Sequence, residues 1–192
     1  MRRHRRRALA AGGVVGPVAF VAAWAELGTR LPGYSPTGDA ISRLAATDAP
    51  TRWAMTAGLV VLGTGVGAYG LALRDTDRGP AWTAAFVCGL AGLAVAALPL
   101  SPDRGDGSHT VAAAVSYAAL AATPLLAARA EGRAGHRRRA AVSVLAGAVC
   151  GACLAATSVA PLSGLFQRIG LTVGHGWIAT SALRLLRRPP SC

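Results

Sequence analysis

The chain has 192 residues and a formal net charge of +12, with 53% hydrophobic and only 15% charged residues. A soluble domain of this size needs more polar residues to coat its surface. Here the apolar residues gather into runs of about 20, long enough to cross a hydrocarbon layer of roughly 30 Å at 1.5 Å per residue, so the composition points to an all-α, polytopic membrane protein.

The first run covers about 8–27, behind the basic start MRRHRRR. Ala23-Trp24-Ala25 before Glu26 has the small-residue form of a signal-peptide cleavage site, yet the run is long for a signal core and reads as a retained anchor. The first outer loop follows, LPGYSPTGDAISRLAATDAP. Ser35 and Pro36 suit an N-cap and a first helical position, so a short helix is predicted to begin there. On it Asp39, Ser42 and Arg43 share a face, with a local Asp39–Arg43 pair, while Ile41 and Leu44 turn toward the membrane. This is a short amphipathic helix on or in the mouth of a helix bundle.

Runs two and three cover about 53–73 and 81–100, and the third ends in LPLSPDRGDGSH, which brings Asp103, Asp106 and His109 to the outer side. Runs four and five cover about 110–128 and 140–160. The last outer loop, PLSGLFQRIG, supplies Gln167 and Arg168, and run six covers about 169–186. It places His175 roughly 9 Å below Ile169. An ionisable group at that depth is costly unless it faces the bundle or water, which makes it a functional candidate. Six spans in one membrane-embedded domain over residues 1–192 follow. In lipid each run must satisfy its own backbone hydrogen bonds, and helix does so.

All 20 basic residues are Arg, a bias of GC-rich bacterial genomes. The side holding both termini and the segments around Arg78 and Arg138 carries 15 Arg against three acids, the whole of the +12, while the other side balances five Arg against five acids. The positive-inside rule assigns the basic side to the cytoplasm, hence a bacterial inner (plasma) membrane with both termini cytoplasmic. The Arg clusters then act as topology determinants beside anionic headgroups, and nucleic acid is not an expected partner.

Small residues at four-residue spacing (Gly63 and Gly67, Gly147 and Gly151, Gly170 and Gly174) predict close helix packing. Cys150-Gly-Ala-Cys153 has the spacing of redox motifs but lies mid-span without a charged neighbour, so packing is its expected role. No acid or Arg lies near the centre of a span, which argues against an ion-coupled transporter.

The candidate site is the outer mouth. Tyr34, Ser35, Asp39, Arg43, Asp103, Gln167 and Arg168 are the candidate ligand contacts, with Arg43 and Arg168 matched to phosphate. Asp39, Ser42, His109 and His175 are the candidate catalytic groups. No two potential ligands share a diagnostic spacing, so no metal or other cofactor is expected; were zinc bound, His109 and His175 would hold it. Two functions use this mouth. One is a binding or accessory protein for a lipid headgroup or a membrane-protein partner. The other is an intramembrane hydrolase or transferase on a lipid or isoprenoid substrate, with His175 and Asp39 as its acid–base pair or metal ligands.

The segments PGYSPTGDAISRLA, LPLSPD…H and GLFQRIGL…H together resemble the domain-of-unknown-function 998 family of bacterial membrane proteins, over nearly the whole chain. The resemblance implies a six-span integral membrane protein and no particular activity.

Overall fold

The computed structural model describes residues 2–74, 76, 79–102 and 105–187, with only the backbone of Arg2 and Arg3. The described residues are all-helical: α1 Arg2–Gly28, a 3-10 turn η1 Ile41–Ala45, α2 Arg52–Arg74, α3 Ala81–Ala97, α4 Gly107–Arg133, α5 Arg137–Ala156 and α6 Ser163–Arg187. The apolar runs became helices, and α1, α2, α4 and α5 are long and apolar enough to cross a membrane. Helix α3 is an apolar helix of 17 residues.

The helix ends have local causes. Proline disfavours helical backbone in the residue before it. Accordingly α3 stops at Ala97, ahead of Pro99 and short of the Leu100 expected, and α5 stops at Ala156, ahead of Pro161 and short of Ala160. At the turns into α3 and α5 the chain passes through Gly79 (φ 58°) and Gly135 (φ 76°), a left-handed backbone that costs glycine little.

The six helices pack as a ring in chain order, with α6 closing on α1 and α4 touching α6 across the middle. Glycines set the spacing. A Cβ on Gly12 would lie 2.6 Å from the Gly65 carbonyl oxygen, and one on Gly63 would lie 2.8 Å from that of Gly89. Such approach supplies the packing that lipid-facing helices cannot obtain from hydrophobic drive. Gly170 and Gly174 fit the same way against Leu154 and against Leu120 with the Cys150 sulfur, so the buried Cys150 serves helix packing.

Two expectations are corrected. No helix begins at Ser35. The segment turns instead: the Ser35 Oγ accepts the Gly38 N–H at 3.2 Å, and the Asp39 carboxylate accepts the Ser35 N–H at 2.7 Å. The only helical piece is η1, and its Ile41 and Leu44 are buried in the bundle, not turned toward lipid. Arg43 is exposed and does not pair with Asp39, whose carboxylate is held by its own turn. Secondly, α6 begins at Ser163, so Gln167 and Arg168 lie in its first two turns and not in a loop. His175 is consequently twelve residues into its helix, about 18 Å along the axis and twice as deep as the spacing suggested.

Candidate functional site

The first loop is fastened to the start of α6. Leu165 donates its N–H to the Thr37 carbonyl at 2.9 Å, and the Ser163 hydroxyl donates to the Gly38 carbonyl at 2.9 Å. The first bond satisfies an N–H that a helix start leaves without an intrahelical partner, and the second satisfies a loop carbonyl. Gly164 permits the approach, since a Cβ there would press on the Asp39 carbonyl and lie 2.9 Å from that of Pro36.

Arg168 is buried beneath this loop. Its Nη1 donates to the carbonyls of Asp39 (3.0 Å) and Gly164 (2.9 Å), and its Nη2 donates to the Tyr34 hydroxyl. The guanidinium carbon lies 5.3 Å from the Trp24 ring centroid and 5.5 Å from that of Tyr34, within cation–π range. Carbonyl dipoles and aromatic faces thus stabilise the charge, and the two Nη1 bonds go one to the loop and one to the first turn of α6. Burial raises the Tyr34 phenol above its ordinary value, a shift that the Arg168 charge and hydrogen bond partly oppose. Gln167 completes the fastening: its Oε1 accepts the Ile41 N–H at 2.7 Å and its Nε2 donates to the Tyr117 hydroxyl on α4.

Below η1 lies a cavity of about 50 Å³, room for a few water molecules. Its polar lining is Ser42, His109, Ser116, Tyr117, Gln167 and His175, and Phe20, Ile41 and Leu171 are among its apolar walls. The structure therefore brings Ser42, His109 and His175, three of the four catalytic candidates, to one space, whereas Asp39 stays in the loop turn. His109 sits in the first turn of α4 with Nδ1 2.6 Å from the Leu98 carbonyl, where an N–H donates and Nε2 is left as the acceptor. His175 is only 3% exposed and stands edge-on to Phe20 at 5.7 Å. Its Nδ1 is buried without a hydrogen bond of normal geometry.

A larger groove of about 540 Å³ runs between α4 and α5 and shares Ser42, His109, Ala113 and Tyr117 with the cavity. Asp106, Thr110, Thr157 and Ser158 line it near the helix ends on the side of the first loop, and Ala114, Ala118, Ala121 and Gly151 line it farther along. Neither Arg43 nor Arg168 lines cavity or groove. Tyr34 and Arg43 line a separate small pocket in the first loop, and Asp103 lies outside the described residues. Among the described residues, no three His, Cys, Asp or Glu side chains converge as a metal site would require.

A family model described as "Protein of unknown function (DUF998)" matches residues 14–184, which include all of the first loop and nearly all of the six helices. The chain belongs to the DUF998 family. No curated protein and no solved structure matches it significantly. The fold and the first-loop fastening thus lie within the family region.

The sequence reading missed two features. The α4–α5 groove has no motif; its only trace is the run of Ala and Gly on facing helices. At the opposite helix ends, Glu131 on α4, Ser143 on α5 and Trp177 on α6 form a buried chain: Ser143 donates to Glu131 at 2.7 Å and accepts from Trp177 at 3.0 Å. The predicted fourth span stopped near Ala128, leaving Glu131 in a loop, but α4 continues to Arg133.

Proposed function

We propose that this DUF998 protein is a membrane-embedded lipid-binding or accessory protein that takes a membrane lipid into the α4–α5 groove from the extracytoplasmic side. The observation that carries this reading is the groove's division, with hydroxyls, Asp106 and His109 at one end and an alanine wall beyond. An amphiphile has the same division. Binding sites of this kind combine mostly apolar walls with a few placed polar groups.

The reading includes six spans in a bacterial inner membrane with both termini cytoplasmic. It is supported by the Arg residues at one set of helix ends, where Arg74, Arg133, Arg137 and Arg187 cap α2, α4, α5 and α6. Such a protein takes membrane lipid or another membrane protein as partner, and no nucleic acid. A second reading, an intramembrane hydrolase or transferase on a lipid or isoprenoid, draws on Ser42, His109 and His175 sharing one cavity.

Mass spectrometry of lipid carried through detergent purification tests the first reading, with Gly151→Leu as the blocking variant. A Cβ at Gly151 meets only Ala121 at 3.6 Å, so the substitution fills the groove without a backbone clash. Loss of a co-purifying lipid from the variant is expected. An unchanged lipid profile sinks the reading. Product release from a long-chain acyl ester, abolished by Ser42→Ala, would move the assignment to the enzyme.

A further inference from the structure

The cavity's chemistry restricts which lipid the groove can take. We infer that the ligand is a single-chain lipid whose polar end is an uncharged hydroxyl, a long-chain or isoprenoid alcohol, with the chain along the α4–α5 groove and the hydroxyl turned into the cavity toward Ser42 and His175. The inference rests on the lipid-binding reading and goes beyond it in naming the ligand class.

Three observations carry it. The cavity adjoins the groove, with Ser42, His109, Ala113 and Tyr117 lining both, so a lipid lying in the groove has its polar end beside the cavity. Among the described residues no cationic side chain lines either space, and the one charged residue there is the acidic Asp106. Both features oppose an anionic headgroup, and the two arginines suited to phosphate are elsewhere: Arg168 holds the first loop, and Arg43 is exposed on a separate pocket. A charged head would also have to enter far below the helix ends, since Tyr117 is ten residues and about 15 Å into α4. Charge is expensive at such depth.

The third observation concerns which polar groups are still available. Gln167 spends both ends of its amide on Ile41 and Tyr117, and His109 spends Nδ1 on Leu98 and keeps only Nε2. His175 is 3% exposed and lines the cavity, and its buried Nδ1 has no hydrogen bond of normal geometry. A buried polar group ordinarily has a partner, and leaving one without is costly. A neutral imidazole can give or take one hydrogen bond at its free nitrogen, and a hydroxyl can do the reverse. The size agrees, since about 50 Å³ admits a hydroxyl-bearing end.

Native mass spectrometry of the detergent-purified full chain, titrated with hexadecan-1-ol or with hexadecyl phosphate, tests this at constant chain length. The alcohol is expected to bind one to one and at least about tenfold more tightly than the phosphate, with Gly151→Leu abolishing the binding. His175→Phe keeps the ring and its packing but removes the nitrogens; it should weaken the alcohol about fivefold and leave the phosphate unchanged, as should Ser42→Ala. Equal or tighter binding of the phosphate in the same groove overturns the inference while sparing the lipid-binding reading. So does preference for the alcohol that neither His175→Phe nor Ser42→Ala reduces. If neither probe binds in a manner sensitive to Gly151→Leu, the lipid-binding reading fails and the inference falls with it.

Discussion

Gln167 and Ile41, 126 positions apart in the chain, are joined by a 2.7 Å hydrogen bond from the Ile41 backbone N–H to the Gln167 Oε1. The bond supplies an acceptor for the first N–H of η1 at a buried position, where the preceding Ala40 offers no side-chain cap. Gln167→Leu keeps the bulk and removes the acceptor. The variant is expected to lose about 1–3 kcal/mol, the cost of a buried donor left without a partner. Thermal unfolding in detergent measures the loss, and faster proteolysis within the first loop would locate it. An unaltered cleavage rate would show that η1 is held by its apolar contacts alone.

Gly164 offers a test with an internal control. A methyl at this position would press on the Asp39 carbonyl and approach the Arg168 Nη1 at 3.0 Å, so Gly164→Ala must lift the loop or displace the guanidinium. A loss of about 1–3 kcal/mol is expected, as for other overpacked sites. Gly176 lies on the same helix with nothing within 4 Å of its would-be Cβ. There the same change should stabilise by about 0.5–1 kcal/mol, because alanine loses less backbone freedom in a helix. Opposite signs on one helix separate contact from propensity, and equal signs would reject the loop contact as the cause.

These residues mark where the sequence was legible. Apolar runs announce helices because a bilayer admits little else, and some of their bounds shift where a proline or a tertiary partner intervenes. Gln167 and Arg168 look like loop residues because both are polar. They are helical and buried because Ile41, Tyr117, Tyr34 and the Asp39 carbonyl satisfy them, and those partners lie 50 to 134 positions away. The inward turn of Ile41 and Leu44 was hidden for the same reason, since a short segment's periodicity cannot say which of two apolar surroundings it faces. His109 and His175 could be nominated by depth and type. The groove they adjoin is a shape made by small residues on two helices, and such a shape leaves no spacing to read.

Tyr34 predicts an alkaline limit to the loop's attachment. Burial raises its phenol above the ordinary value of 10.0, so above about pH 10 the unfolded chain loses that proton while the folded chain keeps it. Folded protein then binds more protons than unfolded, and stability falls as pH rises, until the folded-state value is passed. The Arg168 charge opposes the shift without reversing it. The thermal midpoint of the natural protein should therefore drop from about pH 10 upward relative to Tyr34→Phe, which has no phenol to titrate. Parallel pH profiles for the two proteins would remove Tyr34 as the cause. At neutral pH the substitution should itself destabilise, because Arg168 loses an acceptor and Ala40 loses a donor.

At the other helix ends, Ser143 couples three helices through a single hydroxyl. It takes the Trp177 indole N–H at 3.0 Å and gives its own proton to the Glu131 carboxylate at 2.7 Å. Alanine there removes one acceptor from Trp177 and one donor from Glu131 at a residue that is 1% exposed. A bond to a charged group contributes about 1.5–3 kcal/mol and a neutral one about 0.5–1.5 kcal/mol, so Ser143→Ala is expected to cost about 2–4 kcal/mol in all. Thr at this position keeps the hydroxyl, and Ser143→Thr should retain the coupling if its methyl fits between α5 and α6. The decisive measurement is a double-mutant cycle with Glu131→Gln. Because the serine acts through the carboxylate, the two losses should fall short of additivity, whereas independent packing effects would sum.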